Sequence, residues 1–147
     1  MTLHRMDNVL IVVEDLDAVA AFFVEIGLEL EGRGLVEGAW ADAVVGLDGV
    51  RTEIAMLRTP DGHGRVELSR FLAPPAVRLE PADAPSNALG IRRIMFAVDG
   101  VDALVERLRA RHGAELVGGI ADYENAYRLC FVRGPEGVVV GLAQPLR

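Results

Sequence analysis

The side chains able to do chemistry are few in this chain of 147 residues. The single cysteine, Cys130, excludes an internal disulfide and any cysteine-based zinc cluster. It lies in the apolar run Leu129-Cys130-Phe131-Val132, where a small buried hydrophobe is the expected role. The three histidines, His4, His63 and His112, are too far apart for a local metal motif. No spacing of Ser, Cys, His and Asp suggests an activated nucleophile, and the glycines form neither a dinucleotide fingerprint nor a P-loop. Trp40, Tyr123 and Tyr127 fall in segments that read as loops, and Met6, Met56 and Met95 would add an adaptable apolar surface. Loop aromatics more often serve simple packing than ligand binding.

The chain must bury enough to hold these residues in place. Half of it, 51%, is hydrophobic and 25% is charged, which suits one ordinary globular domain. The net charge of −7 lacks the basic footprint of a nucleic-acid binder. All the basic residues are arginine, a compositional bias rather than a function. No apolar run approaches the length of a membrane helix, and no signal peptide is visible behind Met1, so the expected location is the cytoplasm.

Laid on itself, the chain repeats. Residues 8–19 match residues 93–104 at an offset of 85, with Val13/Val98, Asp17/Asp102 and Ala18/Ala103 identical. Leu57-Arg-Thr-Pro-Asp-Gly62 matches Val132-Arg-Gly-Pro-Glu-Gly137 further on. Each copy begins with a short apolar strand, Val9–Val13 or Ile94–Val98. A helix follows, capped by Asp15 or Glu14 in the first copy and by Asp99 in the second, and ended by Gly27 or Gly113. The helices present Leu16, Val19, Phe23 and Ile26, or Val101, Leu104, Val105 and Leu108, at helical spacing. Phe22 and Phe23 are expected in the core. Strands near Leu28–Glu31 and Glu115–Val117 come next. Hairpins then turn at Pro-Asp-Gly and Pro-Glu-Gly, with flanks Val50–Arg58 and Arg65–Phe71, then Tyr127–Arg133 and Val138–Ala143. The expected architecture is α+β, two tandem βαβββ modules at 1–71 and 90–147. They are joined by the proline-rich linker 72–89 within one structural domain.

This repeat resembles the vicinal-oxygen-chelate superfamily of glyoxalases, bleomycin-resistance proteins and extradiol dioxygenases. The likeness rests on Val12-Val-Glu-Asp-Leu-Asp-Ala-Val-Ala-Ala-Phe-Phe23, Glu67-Leu68 and Arg133-Gly-Pro-Glu-Gly137. It implies a curved mixed sheet around a cleft, and homodimers. In metal-dependent members it implies a divalent ion on four side chains, from the first and last strand of each module. The corresponding positions here are Asn8, Glu67, Arg93 and Gly141. Only Glu67 is an ordinary ligand. Asn8 offers a weak neutral oxygen, Arg93 has no lone pair and keeps its charge, and Gly141 has no side chain.

The resemblance therefore implies a metal-free cleft with no cofactor, holding an apolar or aromatic ligand such as an antibiotic. Its expected lining includes Met6, Asn8, Leu10, Trp40, Met56, Glu67, Arg93, Met95, Tyr123, Tyr127 and Gly141. His4, Met6, Asn8, Leu10 and Val12 would share one face of a continuous strand. Glu67 and Arg93 could form a structural ion pair, Arg93 could recognise an anionic or carbonyl group, or Glu67 could be a metal-independent base. The sequestering reading competes with an enzyme of the glyoxalase or dioxygenase type, a lyase, isomerase or oxygenase. The sequence leaves open which residues of Ile54–Leu57 face inward, since both alternations are apolar.

Overall fold

A computed structural model describes residues 2–146. The chain divides into two compact units, Met1–Arg78 and Leu79–Arg147, so the division falls inside the expected linker.

The first unit runs β1 (Val9–Val12), α1 (Leu16–Ile26), β2 (Glu29–Glu37), α2 (Ala39–Val45), β3 (Arg51–Arg58) and β4 (Arg65–Ala73). Its four-stranded sheet has the order β1-β4-β3-β2, with β1 parallel to β4 and the other pairs antiparallel. Helix α1 starts where expected: the Asp15 carboxylate accepts a hydrogen bond from the Ala18 N–H at 3.0 Å, satisfying an otherwise orphaned donor. It buries Leu16, Val19, Phe22 and Phe23. The two phenylalanine rings meet edge to face at 5.5 Å, and both side chains are fully buried. The sheet face behind them carries Ala55, Leu57, Val66 and Leu68, all buried. At Thr59-Pro60-Asp61-Gly62 the Gly62 N–H closes the β3–β4 turn on the Thr59 carbonyl at 2.8 Å.

The second unit runs β5 (Ile94–Ala97), α3 (Val101–His112), β6 (Glu115–Leu116), β7 (Ala121–Tyr123), β8 (Tyr127–Arg133) and β9 (Val139–Pro145). The order is β5-β9-β8-β6, with β7 also pairing β8 and β5 parallel to β9. Helix α3 buries Val101, Leu104, Val105 and Leu108, and the sheet contributes Cys130, Val132, Val140 and Leu142. The four helical positions and Cys130 thus have the roles their spacing implies.

The structure corrects the sequence reading at several points. The first module is not a bare βαβββ. The stretch from Gly32 to Gly49 is the long half of β2 followed by α2, a short helix bracketed by Gly38 and Gly46. The Asp42 carboxylate secures its exit by accepting the Gly49 and Val50 N–H groups at 3.0 and 2.8 Å. The second module gains β7. Asp99 does not cap α3. Gly100, in the left-handed region at φ 60°, stands directly before the helix and leaves Asp99 one residue too far back. The Val101 N–H is instead taken by the Gln144 side chain of β9, at 2.8 Å. The first strand begins only at Val9. Its parallel partner pairs Val9 with Val66, so residues before Asn8 would have to pair with the turn between β3 and β4. His4, Met6 and Asn8 therefore lie ahead of the strand rather than on it.

Candidate functional site

Each sheet has one face covered by its helix and one that is not, because side chains alternate along every strand. The register decides what the uncovered faces carry. In the first unit Leu10, Glu67 and Met56 lie side by side across β1, β4 and β3. The burial of Ala55 and Leu57 sets Met56 on the uncovered face and resolves the ambiguity of Ile54–Leu57. Leu10 is 48% exposed, and Glu67 is half-buried between its two apolar neighbours. One step along, Val12 pairs with Ser69 and Ser69 with Ile54.

In the second unit the equivalent row is Met95, Gly141 and Phe131, across β5, β9 and β8. Gly141 is needed there for space. A Cβ on it would collide with the Met95 sulfur and lie 2.9 Å from Met95 Cε. The thioether thus lies over the strand where a side chain would stand. Next to this row the Arg93 guanidinium carbon sits 3.9 Å from the centre of the Phe131 ring, a cation–π contact.

Of the expected lining residues, the structure brings together Leu10, Met56 and Glu67 in one unit, and Arg93, Met95 and Gly141 in the other. Asn8 and Met6 precede β1, and Met6 is exposed. Trp40, Tyr123 and Tyr127 do not sit on loops. Trp40 is on α2, Tyr123 is in β7, and Tyr127 opens β8 directly opposite Tyr123. All three are exposed. Phe131 is the residue that sequence reasoning missed. The signal was present: once Cys130 is assigned to the core, alternation turns Leu129 and Phe131 to the opposite face.

The positions where related metal enzymes carry ligands do not fit a metal ion here. Asn8 and Glu67 supply one amide and one carboxylate. Arg93 is a cation stacked on Phe131, and the space over Gly141 belongs to Met95. Among the described residues no group of three or more His, Cys, Asp or Glu is placed to hold an ion. Cys130 is no nucleophile either, being 2% exposed, with burial pushing its thiol pKa up. His63 is exposed in the β3–β4 turn, where its backbone N–H donates to Asp61 at 3.0 Å.

Comparison with known proteins agrees with this fold. Residues 5–142 match the Glyoxalase/Bleomycin resistance protein/Dioxygenase superfamily, and the chain belongs to that family. A glyoxalase family protein from Bacillus cereus is 57% identical, with a TM-score of 0.94 over 100% of this chain and 97% of that one. A glyoxylase/bleomycin resistance protein/dioxygenase domain from Frankia shares the fold at 19% identity, with a TM-score of 0.68 over 98% of this chain and 93% of its own. The fosfomycin resistance protein FosX of Listeria monocytogenes does so at 12% identity, with a TM-score of 0.62 and coverage of 97% and 92%. A search of curated proteins finds no match. No helix among the described residues is long and apolar enough to cross a membrane.

Proposed function

We propose that this protein binds a small apolar or aromatic molecule, an antibiotic or other natural product, without a metal and without converting it. The observation that carries this reading is the pairing of apolar uncovered sheet faces with a donor set unsuited to a metal. In the first unit Leu10 and Met56 flank Glu67, and in the second Met95 and Phe131 lie beside Arg93, so each face offers apolar contact surface with one charged group. Related proteins of this fold include one named for fosfomycin resistance, which favours a role in tolerance to a toxic small molecule. We infer a homodimer, because uncovered apolar faces and open sheet edges gain from a second copy. The competing reading makes Glu67 a general base that needs no metal, since a carboxylate between Leu10 and Met56 is positioned to take a proton.

One experiment separates the two. Purified protein is screened against aromatic natural products by thermal shift. Each compound that raises the melting temperature is then incubated with a hundredth of an equivalent of protein and analysed by mass spectrometry. Recovery of unchanged compound supports sequestration. Product beyond one equivalent per chain, abolished by Glu67→Gln, overturns it in favour of the enzyme.

A further inference from the structure

We propose that Arg93, mounted on Phe131, is an anion-recognition group, and that the ligand is a flat organic anion, an aromatic carboxylate. This inference rests on the ligand-binding reading above and names the ligand class for the same face.

The argument begins with charge. The chain holds 22 acidic residues against 15 basic ones, so an arginine here has carboxylates to spare. Many arginines elsewhere find them: Arg33 meets Asp17 at 2.7 Å, Arg65 meets Glu31 at 3.1 Å, and Arg128 is shared by Asp102 and Asp122, whereas Arg133 bonds only the Gly137 and Ala84 carbonyls. Within its own unit Arg93 makes no ion pair and no hydrogen bond among the described residues. It is held instead by the ring of Phe131. That contact occupies one side of the guanidinium and uses none of its five N–H donors. The result is an exposed cation held against an apolar support, with no partner for its hydrogen-bonding edge inside its own unit.

The surroundings specify what it would hold. Met95 fills the space over Gly141, which pairs with Met95 on one side and Phe131 on the other, so the row beside Arg93 is apolar. Leu129 and Ala143, one step along, extend it without adding charge. A planar apolar body lies on such a floor by dispersion, and a carboxylate at its edge meets the guanidinium in the two-point geometry that arginine favours. A neutral ligand would gain the floor and forgo the charged contact. Phe131 is then a positioning residue, and Gly141 is kept small because Met95 forms part of the floor.

The test uses a matched pair, 2-naphthoate and 2-naphthamide, titrated calorimetrically into the full-length protein. Wild type should prefer the carboxylate by about tenfold, the scale of one charge-assisted hydrogen-bonded contact at a partly exposed site. Arg93→Gln should bring that ratio to about one while leaving naphthamide affinity within about twofold. Arg93→Lys, which keeps the charge but loses the stacked plane, should give an intermediate ratio. Phe131→Leu should lower the ratio as well, although it removes no charge. If naphthamide binds wild type as tightly as naphthoate, or if Arg93→Gln keeps the preference with a native circular dichroism spectrum, the anion inference falls and ligand binding stands. If neither compound binds, the aromatic-carboxylate inference falls, while ligand binding is decided by the thermal-shift screen. An unchanged ratio in Phe131→Leu overturns the positioning role.

Discussion

Replacing Gly141 with alanine tests the arrangement of the second sheet most directly. The added Cβ would collide with the Met95 sulfur and lie 2.9 Å from Cε and 3.3 Å from Cγ. No backbone strain opposes the change, since Gly141 is an ordinary strand residue outside the positive-φ glycines. Two terms therefore compete. Alanine in place of a strand glycine is worth about 0.4–1 kcal/mol, mainly by restricting the unfolded chain. Against this, Met95 must leave its place. Full burial of a methionine contributes about 1.5–3 kcal/mol, and Met95 is 48% exposed, so about 1 kcal/mol is at stake. The terms nearly cancel in the wild-type background, and Gly141→Ala should change stability by less than about 0.5 kcal/mol. With Met95→Ala already in place the steric term vanishes. The same Gly141→Ala change should then stabilise by about 0.4–1 kcal/mol, a coupling of about 1 kcal/mol between the two positions. Urea unfolding of the four proteins, followed by far-ultraviolet circular dichroism, measures all corners of the cycle. Equal stabilisation in both backgrounds would refute the claim that Met95 lies over Gly141, and with it the floor beside Arg93.

Three other outcomes are expected. The Arg128 guanidinium hydrogen-bonds Asp102 at 2.9 and 3.0 Å and holds its carboxyl below the ordinary 3.8. A depressed folded-state pKa stabilises above the unfolded value, so Asp102→Asn should be less stable than wild type at pH 7. The gap should close as acid urea titrations fall through 3.8 and below; a gap constant from pH 7 to 2 would contradict it. Cys130 should react with a thiol reagent only as the protein unfolds in urea, whereas full labelling of native protein within minutes would contradict its burial. Sedimentation equilibrium at micromolar concentration should give about twice 15.8 kDa; a monomer would count against the proposed dimer.

How far the sequence discloses this protein differs between core and site. The repeat at an offset of 85 locates both parallel strands, both main helices and both hairpins, because each rests on a local signal. Asp15 caps its own helix, Gly113 ends another at φ 64°, and both Pro-acid-Gly turns close, the second with Glu136 held at φ 59°. Helix α2 is less legible, since seven residues between glycines carry too little periodicity to stand out. Site residues depend on partners distant in sequence. Whether Met56 or Leu57 faces outward is fixed by pairing with β4, and the end of useful strand before Val9 is fixed by a turn more than fifty residues later. Arg93 illustrates the same limit. Its residue type discloses a charge, but only the folded sheet supplies the ring that holds it.

The capping of α3 by Gln144 bears on the order in which the chain can assemble during synthesis. Helix α1 carries its cap in the adjacent residue, so its first turn can settle as soon as it emerges. Helix α3 waits for a side chain 43 residues downstream, delivered only when β9 has been made and has paired. Until then its leading N–H group has only water, and its apolar stripe lacks the central strand it packs against. The first unit can thus consolidate while the second is still being translated. A ribosome stalled short of residue 144 would hold a finished unit followed by an uncapped helix, the segment a chaperone or protease would meet first.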